Sequence, residues 1–404
     1  MKYKNAIPLI FNTFKEEVLS QNGLSFQQIK ALHLIANCKS EKLGFHVERC
    51  TKCAYRRVHY NSCGNRNCPN CQGVNKTKWI YEREQDLLPV KYFHAVFTVP
   101  KELRGLFRFN KKVLYDLLFR TVKETLFEFG LDKRQHLQAK LGFISILHTW
   151  NQKLQYHPHC IIPGGGIDKH GRWKTSKGQG NFLFHVKALS DKFKKKFIIN
   201  LVQLYKEGSI KLPPNDPFWS SKNLFYQTKS KLYLKKWVVY NKEAFGGPQQ
   251  VLEYLARYTH RIAISNHRIV KITKKEVTFS YLDRKNKVSK TKTVTGIQFI
   301  LMFLQHVLPH GFTKIRHYGF LSSRSKTTDL VRIRLALKIP DPPPKIKLST
   351  RQILTEMNGI DPFFCPICKT DSMQVIEVKP SIRGSPARKY TRMKTNNNPV
   401  NLVL

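Results

Sequence analysis

Six of the chain's nine cysteines crowd into residues 38–73, a stretch with few apolar residues. Four of the six make two Cys-x2-Cys turns, Cys50/Cys53 and Cys68/Cys71, separated by 14 residues. So short a segment cannot bury enough core to fold unaided, so another source of binding energy must hold it. Each turn offers two thiolates to one ion, and two turns complete a tetrahedron of soft ligands, the chemistry of structural zinc. Cys38, His46, His59 and Cys63 remain in the same stretch. Three of these four can form a second zinc site with one further ligand; the alternative is small buried thiols and surface imidazoles. Cys365-x2-Cys368, far along the chain, supplies only half a site.

Metal is preferred over disulfides because the chain begins without the apolar core and small-residue cleavage site of a secretory signal. Nor does any apolar run reach the length of a spanning helix. The expectation is a cytoplasmic protein with no membrane partner. Charge points the same way: 71 Lys and Arg against 26 Asp and Glu give +45, spread along most of the chain. Such an excess repels itself unless a polyanion is the usual partner, which makes nucleic acid the leading expectation. No GxxxxGK[ST] stretch is present, which excludes an ATP motor of the P-loop type.

Patterning along the chain predicts five regions. Residues 1–37 are a helical segment, broken at Gly23-Leu24-Ser25. Residues 38–88 are a small zinc-binding domain, and residues 89–336 are one α+β domain. Within that domain KYFHAVFTVP and LGFISILHTW alternate like strands, Lys111 to Phe129 has helical spacing, and residues 277–296 form a basic hairpin. A helix begins near GGPQQ, with Pro248 in its first turn. Residues 337–378 are a proline-stiffened linker and a CxxC turn, and residues 379–404 a basic tail expected to be disordered.

Two features carry chemistry. In QYHPHCIIPGGG, strand alternation puts His157 and His159 on one face, where they can hold a hard divalent ion if a third polar group joins them. In VLEYLARYTH, Tyr254 and Tyr258 are four apart and share a helix side. A tyrosine oxygen can attack a phosphodiester and hold the bond as phosphotyrosine. The same helix places both tyrosines near its apolar stripe, so packing on the sheet explains them equally well at this level. Gln155, on the strand face of the histidine pair, and His260 are candidates for the third ligand; His94 reads as structural.

The cysteine cluster, KYFHAVFTVPKEL, LHTWNQKLQYHPHCIIPGGGI, VLEYLARYTHRIAISNHRI and LQHVLPHGFTKIRHYGFLSSR occur in that order. Together they resemble the two-tyrosine HUH transposases of the IS ninety-one type, over roughly residues 30–370. The resemblance implies an HUH-endonuclease-like antiparallel sheet with packed helices, preceded by a small zinc-binding domain. It implies that His157 and His159 bind Mg²⁺ or Mn²⁺, and that Tyr254 and Tyr258 are the nucleophiles. It also places Cys50, Cys53, Cys68 and Cys71, with Cys38, His46 and Cys63, in the zinc-binding module. One departure is visible: the family often reads His-Pro-His-x-His-Cys, whereas here His159 is followed directly by Cys160. A shortening by two residues preserves strand alternation.

The expected function is therefore cleavage and rejoining of single-stranded DNA at transposon ends and in target DNA, through 5′-phosphotyrosine intermediates, by a rolling-circle-like route. Host replication would supply the open strands. The competing readings are a plasmid or phage replication initiator or relaxase using the same chemistry, and a catalytically dead zinc-dependent DNA-binding protein.

Overall fold

The computed structural model of the chain describes residues 5–21, 23–84, 86–149, 156–178, 182–243, 250–254, 263–283, 286, 288–340, 342, 348–359 and 361–380. Thirteen strands are labelled in chain order. They are β1 (Phe45–Cys50), β2 (Arg56–Tyr60), β3 (Tyr92–Thr98), β4 (Gly142–His148), β5 (His157–Pro163), β6 (Gly165–Ile167), β7 (Trp173–Thr175), β8 (Val238–Glu243), β9 (Ile269–Ile272), β10 (Glu276–Asp283), β11 (Val288–Thr295), β12 (Ile315–Gly319) and β13 (Met373–Lys379). Five of them form the central antiparallel sheet, in the order β12-β4-β5-β3-β8. The α+β expectation is borne out.

Both faces of this sheet are covered, and the pleat divides each strand between two cores. From β3 and β4, Phe93, Ala95, Phe97, Phe143 and Leu147 point to one side, with Cys160 and Ile162 of β5. They meet Leu118, Val122 and Leu126 of helix Lys111–Leu131, and Phe193 and Phe197 of helix Val186–Lys206. Each fully buried Phe or Leu there contributes about 1.5–3 kcal/mol. On the opposite side, Tyr92, Ile144, Ile146 and Ile161 pack with Val251, Phe320, Leu330 and Ile333. Burial on two faces is why β4 reads as a continuous apolar run, GFISILH, buried throughout. At its start Gly142 pairs with Gly319 of β12, whose φ is +60°. A Cβ on Gly319 would stand 1.6 Å from the Leu141 carbonyl oxygen, so only glycine fits.

The basic hairpin appears as β10 and β11, joined by β9 into a separate three-stranded sheet. Its last strand runs straight into helix Gly296–Leu304, whose first turn is capped by Thr295: the Oγ1 accepts from the Gln298 amide at 3.2 Å. This unit shares a core with helices Ala6–Leu19 and Phe26–Ala36. Phe11 and Phe14 pack with Phe279, Phe299, Ile300 and Phe303, and Cys38, Cys63 and Cys68 lie in the same cluster. The third sheet has the order β13-β1-β2 and joins residues 45–60 to residues 373–379. Among the described residues, no helix is long and apolar enough to cross a membrane.

Candidate active site and metal centres

Alternation along β3, β4 and β5 brings four histidines to one face of the central sheet. His94 follows Tyr92, His148 follows Ile144 and Ile146, and His157 and His159 precede Ile161, all at steps of two. Register completes the arrangement, because His148 pairs with His157 across β4 and β5 while Ile146 pairs with His159. His148 Nδ1 lies 2.9 Å from His157 Nε2, and His94 Nε2 lies 2.9 Å from His159 Nδ1. One ring nitrogen from each of His148, His157 and His159 falls within 4.8 Å of the others, close enough for one ion. Three imidazoles suit Mn²⁺ better than the harder Mg²⁺, which prefers carboxylate and water oxygens.

Residues 250–254 are helical and lie over this face, anchored by the buried Val251 and Leu252. Tyr254 packs on the same core, and its hydroxyl stands 3.1 Å from His94 Nε2 and 3.3 Å from His159 Nδ1. The ring is held by the core and the hydroxyl faces the histidines. Burial, reinforced by the neighbouring His157, pushes the His94 imidazole down to about 4, so at neutral pH it is uncharged. Tyr258, Gln155 and His260 lie outside the described residues.

The third histidine of the group is His148, which sequence reasoning passed over. Its signal was present, since Ile144, Ile146 and His148 stand at alternate positions of a strand beside the His-Pro-His stretch. His94, read as structural, touches the tyrosine hydroxyl.

The cysteines do not group as their spacing suggested. Cys50 and Cys53 face Cys365 and Cys368, while Cys68 and Cys71 face Cys38 and Cys63. The reason is the hairpin between the two turns. Cys50 ends β1 at the hairpin tip, whereas Cys38 and Cys63 flank its open end. Six residues of strand span about 17–20 Å, far too great a reach for one ion. His46 is likewise separate from Cys38 and Cys63: it lies 3.5 Å from Glu48, which also meets His59 at 3.2 Å and accepts from Arg57 Nε at 2.6 Å. Burial pushes the Glu48 carboxyl up, but the bonds from His46, His59 and Arg57 outweigh it and hold the group well below the usual carboxylate range.

In the first cysteine group the sulfurs of Cys38 and Cys71, Cys63 and Cys71, and Cys38 and Cys68 lie 3.5, 3.5 and 3.4 Å apart. In the second, Cys50 to Cys368 and Cys53 to Cys365 are both 3.5 Å. All nine cysteines are free thiols. The edge of a tetrahedral zinc–thiolate site, from Zn–S bonds of about 2.3 Å, is about 3.8 Å, so both groups fit such an ion. A hydrogen bond with the Ser372 hydroxyl, 3.0 Å away, is the main influence that pulls the Cys50 thiol down to about 5, toward the thiolate a metal requires.

Residues 10–99 match a family described as "Transposase zinc-binding domain", and residues 142–328 match one described as "Putative transposase". The chain is 38% identical over 385 residues, 93% of its length and 96% of the relative's, to "Putative transposase y4qJ" of Sinorhizobium fredii. The chain belongs to the transposases of the IS ninety-one type. The transposase is also 27% identical, over 87% of its own length and 84% of the relative's, to the "Transposase for insertion sequence element IS801" of Pseudomonas savastanoi pv. phaseolicola. No solved structure matches it. The second family match takes in β4, β5, helical residues 250–254 and β12, and so contains His148, His157, His159 and Tyr254.

The hairpin of the transposase carries exposed basic side chains. Lys271, Lys274, Lys275 and Lys292 are exposed around β9–β11, and β11 is exposed along nearly all its length. The buried side chains of β10, Val277 and Phe279, lie in its first half, and Leu282 near its end is exposed.

Proposed function

We propose that the transposase cuts and rejoins single strands of DNA at transposon ends and in target DNA, with Tyr254 as a nucleophile. The observation that carries this reading is the Tyr254 hydroxyl within hydrogen-bond reach of both His94 and His159. The phenol oxygen attacks the phosphorus, its proton passes to a facing imidazole nitrogen, and the bond to the 3′ oxygen breaks. That oxygen takes up a proton and leaves as a 3′-hydroxyl, with the 5′-phosphate on the tyrosine. Rejoining reverses the step with a different 3′-hydroxyl. His148, His157 and His159 would hold a divalent cation, Mn²⁺ in preference to Mg²⁺, which when bound draws charge from the phosphate oxygens.

Tyr258, one helical turn on, is the proposed second nucleophile, so that one strand can be taken before the other is released. The zinc module and the basic hairpin would track the phosphate backbone, with host replication supplying open strands. A dead site is disfavoured because β4 contributes a third imidazole beside the shortened His-Pro-His stretch. An initiator or relaxase is disfavoured by the family.

The test uses labelled single-stranded DNA bearing an element end, Mn²⁺ and full-length protein, followed by denaturing electrophoresis. Wild type is expected to form a covalent adduct. A wild-type protein that binds this DNA and forms no adduct at any Mn²⁺ concentration refutes cleavage. An adduct that survives Tyr254→Phe combined with Tyr258→Phe refutes the tyrosine assignment.

A further inference from the structure

The cysteine turn at residues 365–368 has a counterpart 315 residues earlier, and the two are built alike. In the first, the Ala54 amide donates to the Cys50 carbonyl at 3.1 Å and the Cys50 amide to the Tyr55 carbonyl at 2.8 Å. In the second, the Lys369 amide donates to the Cys365 carbonyl at 3.0 Å and the Cys365 amide to the Thr370 carbonyl at 2.9 Å. Ala54 and Lys369, each following the second cysteine of its turn, both adopt left-handed backbone, at φ +57° and +56°. That conformation costs a residue with a Cβ roughly 1–2 kcal/mol, so something must favour it twice. In each turn it leaves two sulfurs converging on one point, and the points coincide.

We propose that Cys50, Cys53, Cys365 and Cys368 bind a zinc ion of their own, distinct from the one proposed for Cys38, Cys63, Cys68 and Cys71, and that it fastens the C-terminal segment to the N-terminal module. The surroundings are those of a clasp. β13 follows the second turn and adds antiparallel to β1, Met373 opposite Cys50 and Lys379 opposite Phe45. Helix Thr350–Asn358 is brought against helix Gln72–Glu84, where the Tyr81 hydroxyl donates to Glu356. Arg57 donates to the Pro362 carbonyl, and Arg351 ties Asp361 to Asp371 around the turn. Among the described residues a small apolar cluster, Cys50, Cys365 and Met373 with Tyr55 and Cys368 packed against it, underlies the junction. Hydrophobic burial there is slight, and the ion supplies what it lacks.

Exposure makes the inference testable on the native protein. Cys53 is exposed and Cys368 half-buried, so without a metal both sulfurs are within reach of an alkylating reagent. Native mass spectrometry of the full chain is expected to count two zinc ions, and the Cys365→Ser/Cys368→Ser variant one. Alkylation mapped by peptide mass is expected to spare Cys53 and Cys368 in zinc-loaded wild type and to modify both after chelation. One zinc in wild type, or equal labelling of Cys53 and Cys368 with and without zinc, overturns the proposal, and the labelling comparison needs no variant to fold. Neither readout depends on DNA cleavage, so this inference can fail while the catalytic reading stands, and the reverse.

Discussion

His148 and His157 sit directly opposite each other on neighbouring strands, with ring nitrogens 2.9 Å apart. The pair is set by backbone register rather than by loop conformation, so the geometry is as rigid as the sheet. Losing a metal's outer-shell partner typically costs about 10–100-fold in affinity, and losing a ligand should cost no less. His148→Ala is therefore expected to weaken Mn²⁺ binding at least about 10-fold, measured by calorimetric titration. An unchanged affinity would remove His148 from the metal site.

The first cysteine group lies inside an apolar core, with Cys68 fully buried and Cys38 and Cys63 nearly so. Structural zinc contributes about 10–16 kcal/mol of binding energy in small zinc domains. Cys68→Ser is expected to lose one zinc and to loosen the two N-terminal helices and the β9–β11 unit that share this core. Hydrogen exchange should speed up there, while helices Lys111–Leu131 and Val186–Lys206 keep their protection. Uniform protection in the variant would show that the core stands without the metal.

His317 and His306 report on acid stability. Burial pushes their imidazoles down to about 4 and about 3, below an ordinary value near 6.5. Because the folded values are depressed, the unfolded chain takes up protons first as pH falls. The stability each group contributes is complete above about pH 6.5 and is lost as pH falls toward about 4, on the order of 1–2 kcal/mol per residue by about pH 5. The urea midpoint should accordingly be lower at about pH 5 than at about pH 7, and His317→Gln should shrink the difference. A midpoint independent of pH over this interval would contradict the burial-driven shift.

The exposed lysines of the hairpin have a signature in salt. Each phosphate contact to a single strand adds about 0.7 to the slope of log affinity against log salt. Lys271→Ala, Lys275→Ala and Lys292→Ala together are expected to lower that slope by roughly 2, with little change in melting temperature. A slope equal to wild type would direct attention to another basic surface.

Short-range periodicity made much of this molecule legible. The strand at KYFHAVFTVP, the helix from Lys111, the strand at LGFISILHTW and the hairpin near residues 277–296 all stand where spacing predicted, because alternation and helical repeat are local properties of a buried face. The resemblance to the IS ninety-one transposases named the family correctly. What spacing could not give was which half-sites meet. Cys50 and Cys53 were paired with the nearer turn because 14 residues is close to ordinary for a zinc module, but those residues contain β2. Their observed partners, Cys365 and Cys368, lie past every strand of the central sheet. His148 was missed for a related reason: its face is readable from alternation, but its neighbour across the strand depends on the register between β4 and β5.

The pairing of β13 with β1 also imposes an order of events during synthesis. Residues 45–60 leave the ribosome early, yet one edge of β1 stays bare until residues 373–379 have been made. Through most of translation that edge presents unpaired amides and carbonyls, a template for adding a strand from the wrong chain. Charged side chains at Glu48, Arg49, Arg56 and Arg57 surround it and discourage such pairing. The sheet that begins with β1 is thus completed only once β13 has been made, and a message cut short before β13 leaves that edge open.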